Sequence, residues 1–198
     1  KQLMFFPRGD RLWGTDVYLI THQAGFNPTI LYKYDGVTLS LVLATTNHAI
    51  PYILEVFDNR IWVGLGTGGG SYFNKIASWK VGDPAWIHYS IPTISIKWWL
   101  ERSWDGKVLY WMDFGFVYSI DADNNWTEIW GKSDNDLGFY GTNGYTIVSL
   151  KEGLYVGVVA PADAYGIVWK DKKAIWESND LTGAIDVGQF TQFNDWIA

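Results

Sequence analysis

One phrase recurs five times along the chain, and it constrains the fold more than any other feature of the sequence. The stretches QLMFFPRGDRLWGTDV (2–17), YILEVFDNRIWVGLG (52–66), WWLERSWDGKVLYWMD (98–113), TIVSLKEGLYVGVV (146–159) and QFTQFNDWIA (189–198) share one form. Each runs from an apolar segment through a tight polar turn into a pair of large apolar residues. The pairs begin at Leu12, Ile61, Leu109, Leu154 and Trp196, so the period shortens from 49 to 42 residues. Between successive copies lies a second hairpin phrase: TILYKYDGVTLSLVL (29–43), KIASWKVGDPAWIHYSI (75–91), FVYSIDADNNWTEIW (116–130) and GIVWKDKKAIWE (166–177). Its turns YDG, GDP, DADNN and KDKK consist of residues that tolerate tight or left-handed backbone. Each repeat therefore reads as four short strands, a to d. A helical reading fails because no window keeps the i, i+3, i+4 apolar pattern for three turns.

An all-β chain with a four-stranded repeat of this length matches the blade of a β-propeller. Strands such as TILY, IWVGL and IKWWL are apolar on both faces, as a sheet must be when it is stacked between two others. Thirteen Trp, twelve Tyr and ten Phe supply wide rings for the places where such wedges diverge. The expected fold is a propeller of antiparallel four-stranded blades of about 45 residues. As one domain over 1–198, it has full blades at 1–46, 47–93, 94–138 and 139–181 and a truncated fifth at 182–198. The fifth copy stops at Asp195-Trp196-Ile197-Ala198, inside the strand that the other copies continue. The sequence is therefore expected to be a segment of a longer polypeptide, or to be completed by a partner.

Phrases such as RIWVGLG and ILYKYDG resemble those of irregular β-propellers in bacteriophage tail and tail-nozzle proteins and, less closely, in tachylectin-like lectins. The resemblance spans nearly the whole chain and rests on pattern, since the G-H…W-D signature of WD40 repeats is absent and a kelch double glycine does not occur in every unit. It implies a non-enzymatic structural or adaptor propeller that contacts other protein subunits of a larger assembly, such as a viral tail, in a virion or extracellular setting. A glycan-binding lectin for receptor recognition is the first alternative, and a propeller hydrolase the second.

Local motifs that compete with this reading each have a plainer one. GLGTGGGS (64–71) satisfies G-x-G-x-x-G, but that fingerprint needs its glycine turn to open a helix whose N-terminus holds the phosphate, and SYFNKIASWKVGD follows instead. The glycines are expected to end strand b of the second repeat and form its b–c loop. Arg8-Gly9-Asp10 spells RGD and is expected in the first a–b turn, where the other copies carry DN, DG, EG and ND. Asp121, Asp123 and Asn125 begin like a calcium loop, yet Trp126 stands where the sharp turn needs glycine. Asn125-Trp126-Thr127 is an acceptor for N-glycosylation in a glycosylating secretory host. Ser103-Trp104-Asp105-Gly106 opens like a sialidase-type turn but has Lys107 in the next glycine position.

The chain has no cysteine, and His22, His48 and His88 are its only histidines, without H-x-x-x-H or H-x-H spacing. No G-x-S-x-G elbow occurs. No catalytic residue, metal ligand or cofactor is expected, and the chain reads as not an enzyme. A net charge of −6 repels phosphate-rich partners, so nucleic acid is not expected, and no apolar run approaches the length of a membrane span.

Strand direction assigns the binding end of each blade. In four antiparallel strands the a–b and c–d turns share one rim, made here of short polar turns that offer little to hold. The b–c and d–a connections share the other: THQAGFNP (21–28), TTNHA (45–49), TGGGSYF (67–73), GKSDNDLGFYGTNG (131–144) and PADAY (161–165). Binding concentrates in longer loops of this kind held on a rigid scaffold. The candidate binding residues are His22, Phe26, His48, Tyr72, Phe73, Phe139, Tyr140, Asn143 and Tyr165, groups of the type enriched at protein interfaces or suited to a glycan.

Overall fold

The computed structural model describes residues 5–23, 29–44, 49–67, 75–90, 99–113, 116–130, 143–160, 165–171, 173–177, 192–193 and 196–197. Among these residues the regular structure is all strand. A first antiparallel sheet runs β1 (Phe5–Trp13), β2 (Asp16–Gln23), β3 (Thr29–Tyr34), β4 (Leu39–Ala44), in sequence order. A second runs β5 (Ala49–Phe57), β6 (Arg60–Thr67), β7 (Lys75–Trp79), β8 (Ile87–Ser90). The third holds β9 (Trp99–Arg102), β10 (Val108–Asp113), β11 (Phe116–Asp121) and β12 (Trp126–Trp130). The fourth holds β13 (Asn143–Leu150), β14 (Gly153–Ala160), β15 (Tyr165–Lys170) and β16 (Lys173–Glu177). A hairpin of β17 (Gln192–Phe193) and β18 (Trp196–Ile197) corresponds to the fifth copy of the repeat.

The turns show why the strands stop where they do. Asp58 and Asn59, at φ 48° and 51°, form a two-residue hairpin turn in which both residues are left-handed, the geometry that matches strand twist and that Asp and Asn tolerate. The Asp35 carboxylate accepts the amides of Val37 at 2.9 Å and Thr38 at 2.7 Å, closing β3–β4. The Asp121 carboxylate accepts those of Asp123 and Asn125, both at 2.9 Å, closing β11–β12. The calcium-like run is thus a c–d turn whose first carboxylate is occupied by its own backbone.

The first repeat departs from the expectation. Arg8-Gly9-Asp10 lies inside β1, which bulges between Pro7 and Gly9 and stays paired to β2 as far as Trp13↔Asp16. The turn is Gly14-Thr15, with Gly14 at φ 67°. Leu12-Trp13 therefore ends strand a, and Val17 occupies the place that Ile61 has in the second sheet, opposite Leu12 as Ile61 is opposite Val56. The glycine-rich segment behaves as expected where it is described: Gly64 to Thr67 finish β6.

The chain divides into two compact units, Lys1–Leu100 and Glu101–Ala198. In the first, one face of sheet one meets one face of sheet two. Tyr18, Ile20 and Leu31 are buried with Leu54, Ile61, Val63, Ala77, Trp79 and Trp86, and Tyr18 packs on Trp79 with ring centroids 6.4 Å apart. The register puts Leu54, Val56, Ile61, Val63, Ala77 and Trp79 on a single face, so strand alternation alone builds that half of the core. On the opposite face of sheet two, Trp62 is fully buried, stacks on Tyr89 at 5.1 Å and donates its indole N–H to the Phe57 carbonyl at 3.0 Å. In the second unit, Leu109, Trp111, Val117, Tyr118 and Ile120 are buried in sheet three and Ile147, Leu150, Leu154, Tyr155 and Val156 in sheet four. The Trp104 amide donates to Ser149 Oγ at 3.0 Å, tying those two sheets together at the β9–β10 turn.

Candidate functional site

In every four-stranded sheet one end is closed by the a–b and c–d turns, and hydrogen bonds hold at least one of these turns in each sheet. Arg60, at the start of β6, donates from Nη2 to Asp83 Oδ2 at 2.7 Å and from Nε to Ser78 Oγ at 2.8 Å, while the Trp79 indole donates to the Asp83 carbonyl at 3.0 Å. The a–b and c–d turns of sheet two are thereby locked to each other. In the β9–β10 turn the Ser103 hydroxyl donates to Asp105 Oδ1 at 2.8 Å and Lys107 Nζ lies 3.0 Å from Oδ2. Together they hold the Asp105 carboxyl down at about 2. Thr38 and Val37 lower Asp35, and Asn125 lowers Asp121, by the same cause: amide donors aimed at the ionised form.

These turn ends are polar in composition yet carry apolar tips, contrary to the expectation that they offer little to hold. Val37 is 88% exposed in the β3–β4 turn, Val81 69% in the β7–β8 turn and Trp104 56% in the β9–β10 turn. The signal for this is present in YDGV, KVGD and SWDG, but turn chemistry speaks to backbone conformation and not to which side chain is left displayed.

At the opposite ends of the sheets, three of the nine candidate binding residues have a described backbone position. His22 pairs with Phe6 and Thr29 near the end of β2, Asn143 pairs with Val159 at the start of β13, and Tyr165 pairs with Ala160 at the start of β15. Each stands where its strand meets a b–c or d–a connection. Phe26, His48, Tyr72, Phe73, Phe139 and Tyr140 lie outside the described residues. No group of three or more His, Cys, Asp or Glu side chains that could hold a metal ion occurs among the described residues. Glu55 is the buried carboxylate among them, and its Oε1 accepts the Val56 amide at 2.9 Å.

No family model and no curated protein matches the chain. Solved structures do. A streptogramin B lyase structure superposes with a TM-score of 0.68 at 15% identity, over 97% of this chain and 61% of that one. A chain in a crystal structure of the mitotic checkpoint complex superposes with a TM-score of 0.55 at 13% identity, over 84% of this chain and 48% of that one. The chain thus spans less than two thirds of the length of either. The lyase match overturns the expectation that the chain is not an enzyme. An enzyme shares this architecture almost throughout, and the missing local motifs do not count against catalysis, because a propeller site is assembled from loops far apart in sequence. Antiparallel four-stranded sheets recurring in chain order, together with these likenesses, establish an all-β fold of the β-propeller type.

Proposed function

We propose that this chain is a propeller module that holds a protein partner in a larger assembly, through the b–c and d–a loops of its sheets. The observation that carries the reading is the asymmetry of the connections. At one end of each sheet at least one turn is fixed by its own hydrogen bonds, and at the other the connections vary widely in length, with Tyr72 and Tyr140 in their sequence and His22 and Tyr165 at the strand ends beside them. A rigid scaffold with variable loops is the usual construction of a recognition site. One of the chains of like fold belongs to the mitotic checkpoint complex, which is consistent with this use of the architecture. The resemblance to tail propellers makes a viral tail the specific setting, and the same loops would serve a lectin if the partner were a glycan. The test is isolation of the chain from its source under native conditions: co-migration with stoichiometric protein subunits is expected. Migration as a free chain that binds an immobilised glycan would replace this reading with the lectin.

A second reading has one observation in its favour, the superposition on a streptogramin B lyase over 97% of this chain. It predicts that the chain consumes streptogramin B, which loss of the streptogramin B peak and growth of a product peak in liquid chromatography would show. An unchanged chromatogram after prolonged incubation at high protein concentration would reject that substrate.

A further inference from the structure

Sheet two shows what one face of the repeat is for. Ile61 and Val63 of β6 pair with Trp79 and Ala77 of β7, and together with Trp86 these residues are buried against Tyr18, Ile20 and Leu31 of sheet one. Strand alternation carries the same rows into sheet one, on the face turned away from sheet two. Val17 stands where Ile61 does, so Leu19 takes the place of Val63, and their partners Tyr34 and Tyr32 take those of Trp79 and Ala77. Leu39, opposite Tyr34, falls where antiparallel counting puts Trp86, one residue before the Ile87 that pairs with Ser78.

The two sets of rows differ in exposure and not in character. Trp79 and Trp86 are 6% and 7% exposed, whereas Tyr34 and Leu39 are 39% and 57% exposed. A face meant for solvent would alternate to polar side chains here. The charges of these strands lie on the other side: Lys33 pairs with Asp16 at 3.1 Å, and both alternate to the face of Tyr18. Leu41 corresponds to His88, which is exposed in sheet two as well, so Tyr34 and Leu39 are the informative positions.

We infer that the outward face of sheet one seats a further four-stranded sheet of the same repeat, carried by polypeptide outside residues 1–198 and presenting counterparts of Tyr18, Ile20 and Leu31. The first reason is the register, which makes this face a copy of one already packed on such a sheet. The second is charge, since a charged partner would be buried here with nothing opposite to pair it. The third is length: 97% of this chain is accommodated in 61% of the streptogramin B lyase chain, so a chain of this fold has room for further repeats. The seat is a sheet face and not a b–c or d–a loop, so it does not depend on the function proposed above.

The test is made on the native protein isolated from its source. Hydroxyl-radical oxidation, read residue by residue by mass spectrometry and divided by the rate in the unfolded protein, reports which side chains are covered. Tyr34 and Leu39 are expected to oxidise about tenfold less than the exposed turn tips Val37 and Val81, because side chains between stacked sheets are close-packed. Photo-leucine, incorporated in place of leucine, then links position 39 to its neighbour, which is expected to be an apolar strand of the same polypeptide outside residues 1–198. Oxidation of Tyr34 and Leu39 equal to that of Val37, a source polypeptide of only 198 residues, or a link that ends within residues 1–198 or in another protein overturns the inference.

Discussion

Gly153 has φ 152°, and a Cβ added there would run into the carboxylate of Asp171. The approach is close because the β13–β14 and β15–β16 turns are bonded together: the Leu154 amide donates to Asp171 Oδ1 at 3.0 Å, and the Asp171 amide donates to the Leu154 carbonyl at 3.1 Å. Gly153→Ala is therefore expected to destabilise the chain by about 1–3 kcal/mol, seen as a lower urea midpoint at unchanged slope. The turn carboxylates make a second prediction at this scale. Asp35, Asp105 and Asp121 all titrate below the ordinary value of 3.8, Asp105 at about 2, so the ionised form favours the folded chain. The stability they contribute is complete above 3.8 and is lost as pH falls through the lowered values. An acid titration followed by near-ultraviolet circular dichroism should show a loss between 3.8 and about 2 that is shallower in Asp105→Asn, and equal slopes in the two proteins would refute the linkage. These carboxylates are exposed, so added salt should reduce the difference.

The hairpin is the element in which sequence and structure agree most closely. Tight-turn residues and alternation locate the strands because the backbone demands both locally: Asp58-Asn59 can take the left-handed pair that β5–β6 needs, and Asp35 and Asp121 cap their own turns. The first repeat escapes this logic for a related reason. Arg8-Gly9-Asp10 has turn composition, but the cross-strand pairs Leu12↔Val17 and Asp10↔Leu19 place it in a bulged strand, and pairing over that distance is not encoded in any three-residue window. The Arg60 lock is equally hidden, since 23 positions separate Arg60 from the Asp83 it binds. Both side chains are mostly buried, at 15% and 16% exposure, so removing one strands the other. Arg60→Ala is expected to cost about 1.5–3 kcal/mol and Arg60→Lys nearly as much, because an ammonium cannot bond Asp83 and Ser78 together in the guanidinium geometry. Thermal melting that ranks Arg60→Lys with the unmodified protein would show that charge alone matters there.

Across the whole chain, the repeat reveals the scaffold but not the chemistry, because four-stranded sheets in series serve a lyase and a checkpoint assembly alike. The sheets are legible since each repeats one local pattern, whereas a site made of loops from several repeats leaves no contiguous signature. His22, Asn143 and Tyr165 are expected in the connections 21–28, 131–144 and 161–165, whereas they pair within the last or first positions of β2, β13 and β15, because polar and small residues at a strand end do not mark where pairing stops. The two ends of each sheet nevertheless predict different consequences of substitution. Asp35 and Asp58 lie in turns whose conformation they help set, so replacing them alters a hairpin without removing a large contact surface. Tyr72 and Tyr140 fall in the sequence between β6 and β7 (68–74) and between β12 and β13 (131–142), where an aromatic ring with two rotatable bonds can bury much area at little entropic loss. If the loops bind the partner, Tyr140→Ala and Tyr72→Ala should each weaken its binding by about 2 kcal/mol, roughly thirtyfold in the dissociation constant. Asp35→Ala and Asp58→Ala should change it by less than about threefold. Calorimetric titration of the assembly partner against the four variants measures the ordering directly. The reverse ordering would assign recognition to the turn ends, where Val37, Val81 and Trp104 are already displayed on rigid hairpins.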